Sequence, residues 1–360
     1  MKSAVEFEVL DAAVPADRAR WLQLWTDGTS HEPTHHPTYA SLFAGPINRI
    51  ACAHFRDTGG EVLFPFFRRS IPNAALGLED AITPYGYGGP YQEGAPNVEA
   101  FWDHFDAWAT NTGLVSLVAR LSLFDSQLVP WRGHAQSVME NVVRRLDRSP
   151  GDIFSSYEHK VRKNVRRAQR EGLTVEIATH PIRVDDFHRI YLGTMDRRSA
   201  ENTFHFPREF FDALHRDMPD NILYAHVLHE GVVISSELVL RSARYLYSFL
   251  GGTDERYFPM RPNDLLKHAV IEWGSANRFE GYIMGGGPEA GDGIFRYKRS
   301  FAPDGVVPFR IGTRVYRPDV YDQLVEERRH RAELAGESWV PSPSYFPRYR
   351  APLLSTLLPK

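Results

Sequence analysis

The chain has 360 residues, enough for two domains that each bury a core. With 42% hydrophobic and 24% charged residues, it is neither disordered nor fibrous. The net charge of −3 supplies no global basic field, so DNA is not an expected partner and any RNA contact must be local. A single cysteine, Cys52, excludes an internal disulfide framework and fits a reducing compartment. The start, MKSAVEFEVLDAAVP, carries charges where a signal peptide needs a continuous apolar core. No stretch approaches the roughly 20 apolar residues of a membrane span. These features predict a soluble cytoplasmic protein with no integral membrane segment.

In chain order, Val5–Leu10 reads as a short strand, followed by helices near Pro15–Trp25 and Pro37–Phe43. RIACAHF and EVLFPFFRR read as a hairpin turning through Asp57-Thr58-Gly59-Gly60. After the loop LEDAITPYGYGGPY, residues Val98, Phe101, Trp102, Phe105, Trp108 and Ala109 make a helical apolar stripe, with Asn97 as N-cap and Gly113 as terminator. LVSLVARL is then a buried strand.

The second half repeats that order. SSYEHKVRKNVRRAQREG predicts one helix with Ser155 or Ser156 as cap and Gly172 as terminator, and LTVEIATH a strand. VDDFHRIYLGTMDRRSA and PREFFDALHRDM predict two helices. ILYAHVLH and VVISSELVL form a hairpin over Glu230-Gly231, and YLYSFLGG is a third strand. RPNDLLKHAVIEWGSAN is a helix and FEGYIMGGG a strand ending in glycines. GIFRYKRSF alternates Phe295, Tyr297 and Phe301 against Ile294, Arg296, Lys298 and Ser300, which predicts a further strand paired with VVPFRIGTRVY. Strand, two helices, three antiparallel strands, helix, strand is similar to the order of the GNAT acyltransferase fold. The expected fold class is therefore mixed α/β, with two tandem GNAT-like domains at 1–148 and 149–317. The tail 318–360, one charged helix and a proline-rich stretch, is expected to pack on the first domain.

Several constellations could carry chemistry. TPYGYGGPY combines glycines, which allow close backbone approach, with Tyr85 and Tyr87; it is either a packed turn or a ligand-facing loop. The helix over 155–171 places Lys160, Arg162, Lys163, Arg166, Arg167 and Arg170 opposite Tyr157, Val161, Val165 and Ala168. Six bases against Glu158 and Glu171 form either a solvated face or a polyanion site. Arg197 and Arg198 close a helix, where they stabilise its dipole or meet a diphosphate or carboxylate. Glu237 lies in an apolar strand, either at an exposed edge or buried as a general base. Lys298 is either a solvated strand residue or a cation placed for chemistry. The glycines before it lead to no helix in this reading, so a dinucleotide fingerprint is excluded. The glycine loop of a CoA pyrophosphate site is not visible. HEPTHHP, with His31, His35 and His36, is the one histidine cluster and lacks metal-ligand spacing, so no metal is expected.

The order KVRKNVRRAQREGLTVE, TMDRR, RPNDLLKHAVIEWG, GYIMGGG and GIFRYKRSF, with TPYGYGGP in the first half, resembles the FemABX family of peptidyltransferases over roughly residues 30–315. The resemblance implies two GNAT-like domains and transfer of an aminoacyl group from aminoacyl-tRNA to an amine, often in a peptidoglycan precursor. It implies an oxyanion-stabilising role for Lys298 and acceptor diphosphate recognition by Arg197 or Arg198. Tyr85 and Tyr87 would line the acceptor cleft, and Lys160 and Arg162 match the family's basic helix. The long helical arm of many members has no room here, because Gly172 is followed at once by a strand.

The implied chemistry is ester aminolysis, for which a preorganised cation at the developing oxyanion contributes about 2.7–4 kcal/mol. Glu237 is the candidate for deprotonating the amine. No bound cofactor is expected; the acyl donor is a co-substrate. Two alternatives stand beside this reading, an acyl-CoA-dependent N-acyltransferase and a catalytically silent ligand-binding module.

Overall fold

A computed structural model describes residues 5–45, 47–72, 77–198, 205–342 and 345–352. They form two compact units. The first draws on residues up to 28, on 34–138 and on those from 309 onward; the second on 29–33 and 139–308.

The first unit opens with β1 (Glu6–Asp11), α1 (Pro15–Asp27) and α2 (Pro37–Phe43). β2 (Arg49–Arg56) and β3 (Gly60–Ser70) form the expected hairpin, whose turn is tied by Asp57 Oδ1 accepting from the Gly59 and Gly60 N–H groups. Two short strands, β4 (Glu79–Ile82) and β5 (Tyr91–Gly94), occupy part of the stretch that reads as loop. α3 (Val98–Asn111) is capped by Asn97, which accepts from Ala100 N at 3.1 Å, and is followed by β6 (Leu114–Arg120). Phe101, Trp102 and Phe105 of α3 pack on Phe64 and Phe66 of β3, which makes an aromatic core.

β7 (His134–Arg145) has no counterpart among the elements read from the sequence. The basic helix expected over 155–172 is two helices, α4 (Pro150–Ser156) and α5 (His159–Arg170). Ser149, not Ser155 or Ser156, supplies a cap, and Tyr157 and Glu158 take extended backbone between the helices. Gly172, at φ +77°, ends the run as expected, and β8 (Thr174–Ala178) starts two residues later with no inserted arm. The order then repeats as α6 (Val184–Arg197), α7 (Arg208–Asp217), β9 (Ile222–His229), β10 (Val232–Arg241), β11 (Tyr245–Thr253), α8 (Pro262–Ala276) and β12 (Gly281–Gly285). The β9–β10 turn puts Glu230 and Gly231 both at positive φ, the tight-hairpin geometry.

GIFRYKRSF is a helix, α9 (Gly293–Arg299), which corrects the strand expectation and also the premise that the glycines before it lead to no helix, on which the sequence reading excluded a dinucleotide fingerprint. Asp292 accepts from Phe295 N at 2.7 Å and nucleates it, so Phe295 and Lys298 are one helical turn apart rather than on opposite faces. The proposed pairing with VVPFRIGTRVY falls with it: β13 (Val306–Val315) pairs antiparallel with β6, Ile311 opposite Arg120. α10 (Pro318–Leu334) and the segment to Ala351 pack Tyr321, Leu324, Trp339 and Tyr349 around Ile71 and Val115.

Within the first unit the strand order is β1-β2-β3-β4-β6-β13, with β5 on β3; within the second it is β7-β12-β11-β10-β9-β8. Each contains one parallel neighbour pair, β4 with β6 and β11 with β12, and the two units are tandem versions of one mixed α/β fold. Among the described residues no helix is long and apolar enough to cross a membrane.

Candidate active site

The parallel strands β11 and β12 pair through only three residues each, ending at Tyr247 opposite Ile283. β11 then runs on to Thr253 beside β10, while β12 ends in glycine. The carboxyl ends of two parallel strands thus part, and such a place in an open α/β sheet is where ligands bind. Gly251 and Gly252 permit close packing there. A side chain at 251 would meet the Glu237 backbone and Cβ at 3.2–3.3 Å, and one at 252 would meet the Ile190 carbonyl at 2.7 Å.

Glu237 of β10 is 2% exposed, which decides between the alternatives of edge and interior. Its Oε1 accepts from Lys267 Nζ, Ser248 Oγ and Tyr282 Oη, each at 2.6 Å. Lys267, from α8, also donates to Ser248 Oγ at 2.8 Å and Tyr282 Oη at 2.9 Å, so all three of its N–H donors are matched. Burial, and then the negative charge of Glu237, push the Tyr282 hydroxyl far above its ordinary range, which keeps it a donor. Oε2 of Glu237 is buried and has no hydrogen-bond donor among the described residues. The second unit therefore holds a closed cation–carboxylate network with one acceptor atom left over.

Lys298 is half-buried on α9 and donates to the Gly286 carbonyl, in the loop after β12, at 2.6 Å. Burial, and next the charge of Lys267, lower its pKa to about 8; Glu237 and Asp292 oppose that shift. Lys298 and Glu237 thus lie within electrostatic reach of each other. In α8's first turn, Asp264 is buried and accepts from Asn164 of α5 at 3.1 Å, and burial raises its pKa.

The remaining candidates lie elsewhere. Lys160 is exposed on α5 and close enough to Asp264 to act on it electrostatically. Arg162 is occupied structurally: it donates to the Ser155 carbonyl at 2.9 Å and to that of Tyr157, and so holds the α4–α5 break. Arg197 ends α6, donates to the Thr253 carbonyl at 3.3 Å and lies over the Phe258 ring; Arg198 is its C-cap. Arg197 also lines a 240 Å³ pocket with Arg189, Asp254 and Arg256. Residues 199–204 of the TMDRRSAENTFHF loop fall outside the described residues. Tyr85 and Tyr87 belong to the other unit. Tyr85 is exposed and stacks on Phe43; Tyr87 packs edge-on against Phe309, and burial raises its hydroxyl pKa.

His35 and His36 are structural, one bonded to the Gly89 carbonyl at 2.9 Å and the other capping α2. Among the described residues, ligand atoms convergent enough for a metal occur at Glu6, Glu8 and His54, and His54 is already bonded to Glu8 and Glu61. Sequence reasoning missed Lys267, Ser248 and Tyr282. A signal was present for Lys267: its helical neighbours at i+3 and i+4 are Val270 and Ile271, which places the lysine on the buried face.

Residues 155–299 match the acetyltransferase (GNAT) domain family. In solved structures, FemX covers 85% of this chain and 98% of its own, with 11% identity and a TM-score of 0.65. A conserved protein of unknown function from Bacteroides thetaiotaomicron aligns over 86% of this chain and 99% of its own, at 10% identity and a TM-score of 0.55. The C-terminal domain of an assigned lysylphosphatidylglycerol synthetase from Agrobacterium fabrum aligns over 83% and 92%, at 13% identity and a TM-score of 0.52. No curated protein matches the chain in sequence. The second unit therefore matches the GNAT domain family over residues 155–299, and the chain as a whole shares the tandem fold of FemX.

Proposed function

We propose that the chain is an amide-forming N-acyltransferase of the FemABX type. It would take an aminoacyl group from the 3′ ester of an aminoacyl-tRNA and pass it to the amine of a peptidoglycan precursor or a small peptide-like acceptor. The observation that carries the reading is the pair of functional groups at the parted strands, the Lys298 ammonium and the free Oε2 of buried Glu237.

In the reaction the neutral amine attacks the ester carbonyl, the C–N bond forms and the carbonyl oxygen becomes an oxyanion. Lys298 stabilises that charge, at a typical contribution of about 2.7–4 kcal/mol. The C–O bond to the ribose then breaks and the ribose oxygen leaves as a hydroxyl, with the proton given up by the amine. Glu237 Oε2 is the acceptor suited to hold that proton in transit, and Lys267 and Tyr282 keep the carboxylate fixed for it. An ester is already activated, so positioning can supply most of the remaining acceleration.

The segment between β11 and α8 offers no glycine cradle to a CoA pyrophosphate, and in the glycine-rich loop that does open a helix, before α9, the Asp292 side chain already takes the Phe295 N–H. A pyrophosphate cradle needs glycine-rich backbone opening a helix. Here the stretch is Asp254-Glu255-Arg256-Tyr257-Phe258-Pro259-Met260-Arg261, with the Arg256 backbone N–H taken by the Asp254 side chain. The second reading, an acyl-CoA donor, draws on the acetyltransferase family match over 155–299. Incubation of the purified chain with charged tRNA or with acetyl-CoA, plus an amine acceptor, separates the two by mass spectrometry of the amide. With the true donor, Lys298→Met should lower kcat by about 10²–10³-fold; unchanged turnover would remove Lys298 from the mechanism.

A further inference from the structure

The exposed side of α5 carries cations at every turn. Lys160, Lys163, Arg167 and Arg170 follow at i, i+3, i+7 and i+10, with Arg166 alongside, opposite the buried Val161, Val165 and Ala168. The stripe is about 15 Å long at 1.5 Å per residue. Arg167 pairs with Glu171 at 3.4 Å and Arg166 lies over the Phe154 ring, whereas Lys160, Lys163 and Arg170 enter no ion pair among the described residues. In a chain of net charge −3 this is a local concentration of positive charge.

The stripe is anchored to the transfer site. Glu158 N, at the start of α5, donates to the Ser300 carbonyl at the end of α9 at 2.9 Å, and α9 carries Lys298. Asn164 ties the middle of α5 to Asp264 at the start of α8, the helix that carries Lys267. The helix that carries the stripe thus adjoins both helices of the transfer site, and a polyanion running from Lys298 along α5 would meet these cations. No large apolar side chain on α5 is exposed, so the helix has nothing to insert into a bilayer.

We propose that the exposed face of α5 binds the backbone phosphates of a structured RNA, the acceptor arm of the donor. This rests on the aminoacyl-tRNA reading given above and adds the surface that holds the RNA. Phosphate contacts of this kind position the RNA without reading its sequence, so affinity should depend steeply on salt.

The test is binding of deacylated tRNA to the full chain over a range of salt, for wild type and Lys163→Glu/Arg170→Glu, with Lys163→Gln/Arg170→Gln as the milder variant. The expected result is at least tenfold weaker binding by the charge-reversed variant. The slope of log K against log salt should be shallower by about two, while turnover of a short 3′-aminoacyl dinucleotide is retained. Wild-type affinity and slope in both variants would overturn the proposal. So would α5-dependent binding to anionic phosphatidylglycerol vesicles with no binding of tRNA. If acetyl-CoA alone supports transfer but tRNA binding still depends on α5, the RNA surface stands and the donor reading fails.

Discussion

The two units share an element order but fill the equivalent interior differently. In the first, the helix between the third and last repeat strands, α3, presents Phe101, Trp102, Phe105 and Ala109 to an aromatic core with Phe64 and Phe66, and the nearest charges, Arg314 and Asp106, pair at its margin over Trp102. In the second, the corresponding helix α8 presents Leu266, Val270 and Ile271 but also Lys267, and β10 answers with Glu237. A buried ion pair is weak evidence for stability, because desolvation offsets most of the attraction. The first unit buries a carboxylate too, Asp80 of β4, but Arg69 engages one of its oxygens and Arg350 and Tyr349 the other, whereas Glu237 keeps Oε2 unmatched beside the parted strands. The first interior is held by aromatic packing, and the second is held around the carboxylate proposed to act on the amine.

The largest effects should come from breaking each interior in its own currency. Lys267→Met strands Glu237 as a buried charge and should cost about 3–5 kcal/mol, read as a shift in the urea midpoint. Adding Glu237→Gln should return most of that loss, since the amide can still bond Tyr282 and Ser248. Phe105→Ala in the first unit should also cost about 3–5 kcal/mol through its cavity. There no polar second change should rescue it. If Glu237→Gln fails to restore Lys267→Met, the network is held by packing rather than by charge pairing.

A smaller loss should follow Tyr282→Phe, which removes one donor to Glu237 and one acceptor for Lys267. About 1–3 kcal/mol of stability is expected from the unmatched buried groups. Because Glu237 also loses an orienting contact, kcat should fall while the KM for the acyl donor stays within about twofold. An equal fall in kcat and rise in KM would make Tyr282 a general packing residue.

Much of this architecture is legible in the sequence, and the failures have physical causes. The duplicated order, the Asn97 cap and the Glu230-Gly231 turn are encoded locally, by residue types with strong backbone or capping preferences. Glu237 breaks an apolar strand pattern, whereas Lys298 is singled out only by the family resemblance of its segment. α9 was misread because seven residues are too few to separate period 2 from period 3.6, and its Asp292 cap follows a glycine loop that also suits a strand. β7 escaped because its first seven residues are exposed or half-buried and its buried run mixes Val142 and Val143 with Asn141 and Arg144. Lys267 looked like an ordinary helix lysine; only the carboxylate and hydroxyls brought from three separate strands give it a role.

The smallest expected effect is also the one that separates two uses of Lys298. Its folded pKa, about 8, lies below the ordinary 10.5, so the unfolded chain binds its proton more tightly. Between those two values the unfolded state holds more protons, and the Lys298 contribution to stability rises with pH. Activity should move the other way. An oxyanion donor must be an ammonium, and about nine-tenths of Lys298 in the free enzyme is deprotonated one unit above its pKa, so kcat/KM should fall about tenfold from its plateau by pH 9. The acceptor amine opposes this by losing its own proton as pH rises. Lys298→Arg isolates the two, since arginine keeps its charge across the range. The variant should lose the descending limb and retain the ascending one. A rate that instead climbs through pH 8 in the wild type, and ceases to climb in Lys298→Arg, would make neutral Lys298 the base and leave Glu237 to position it.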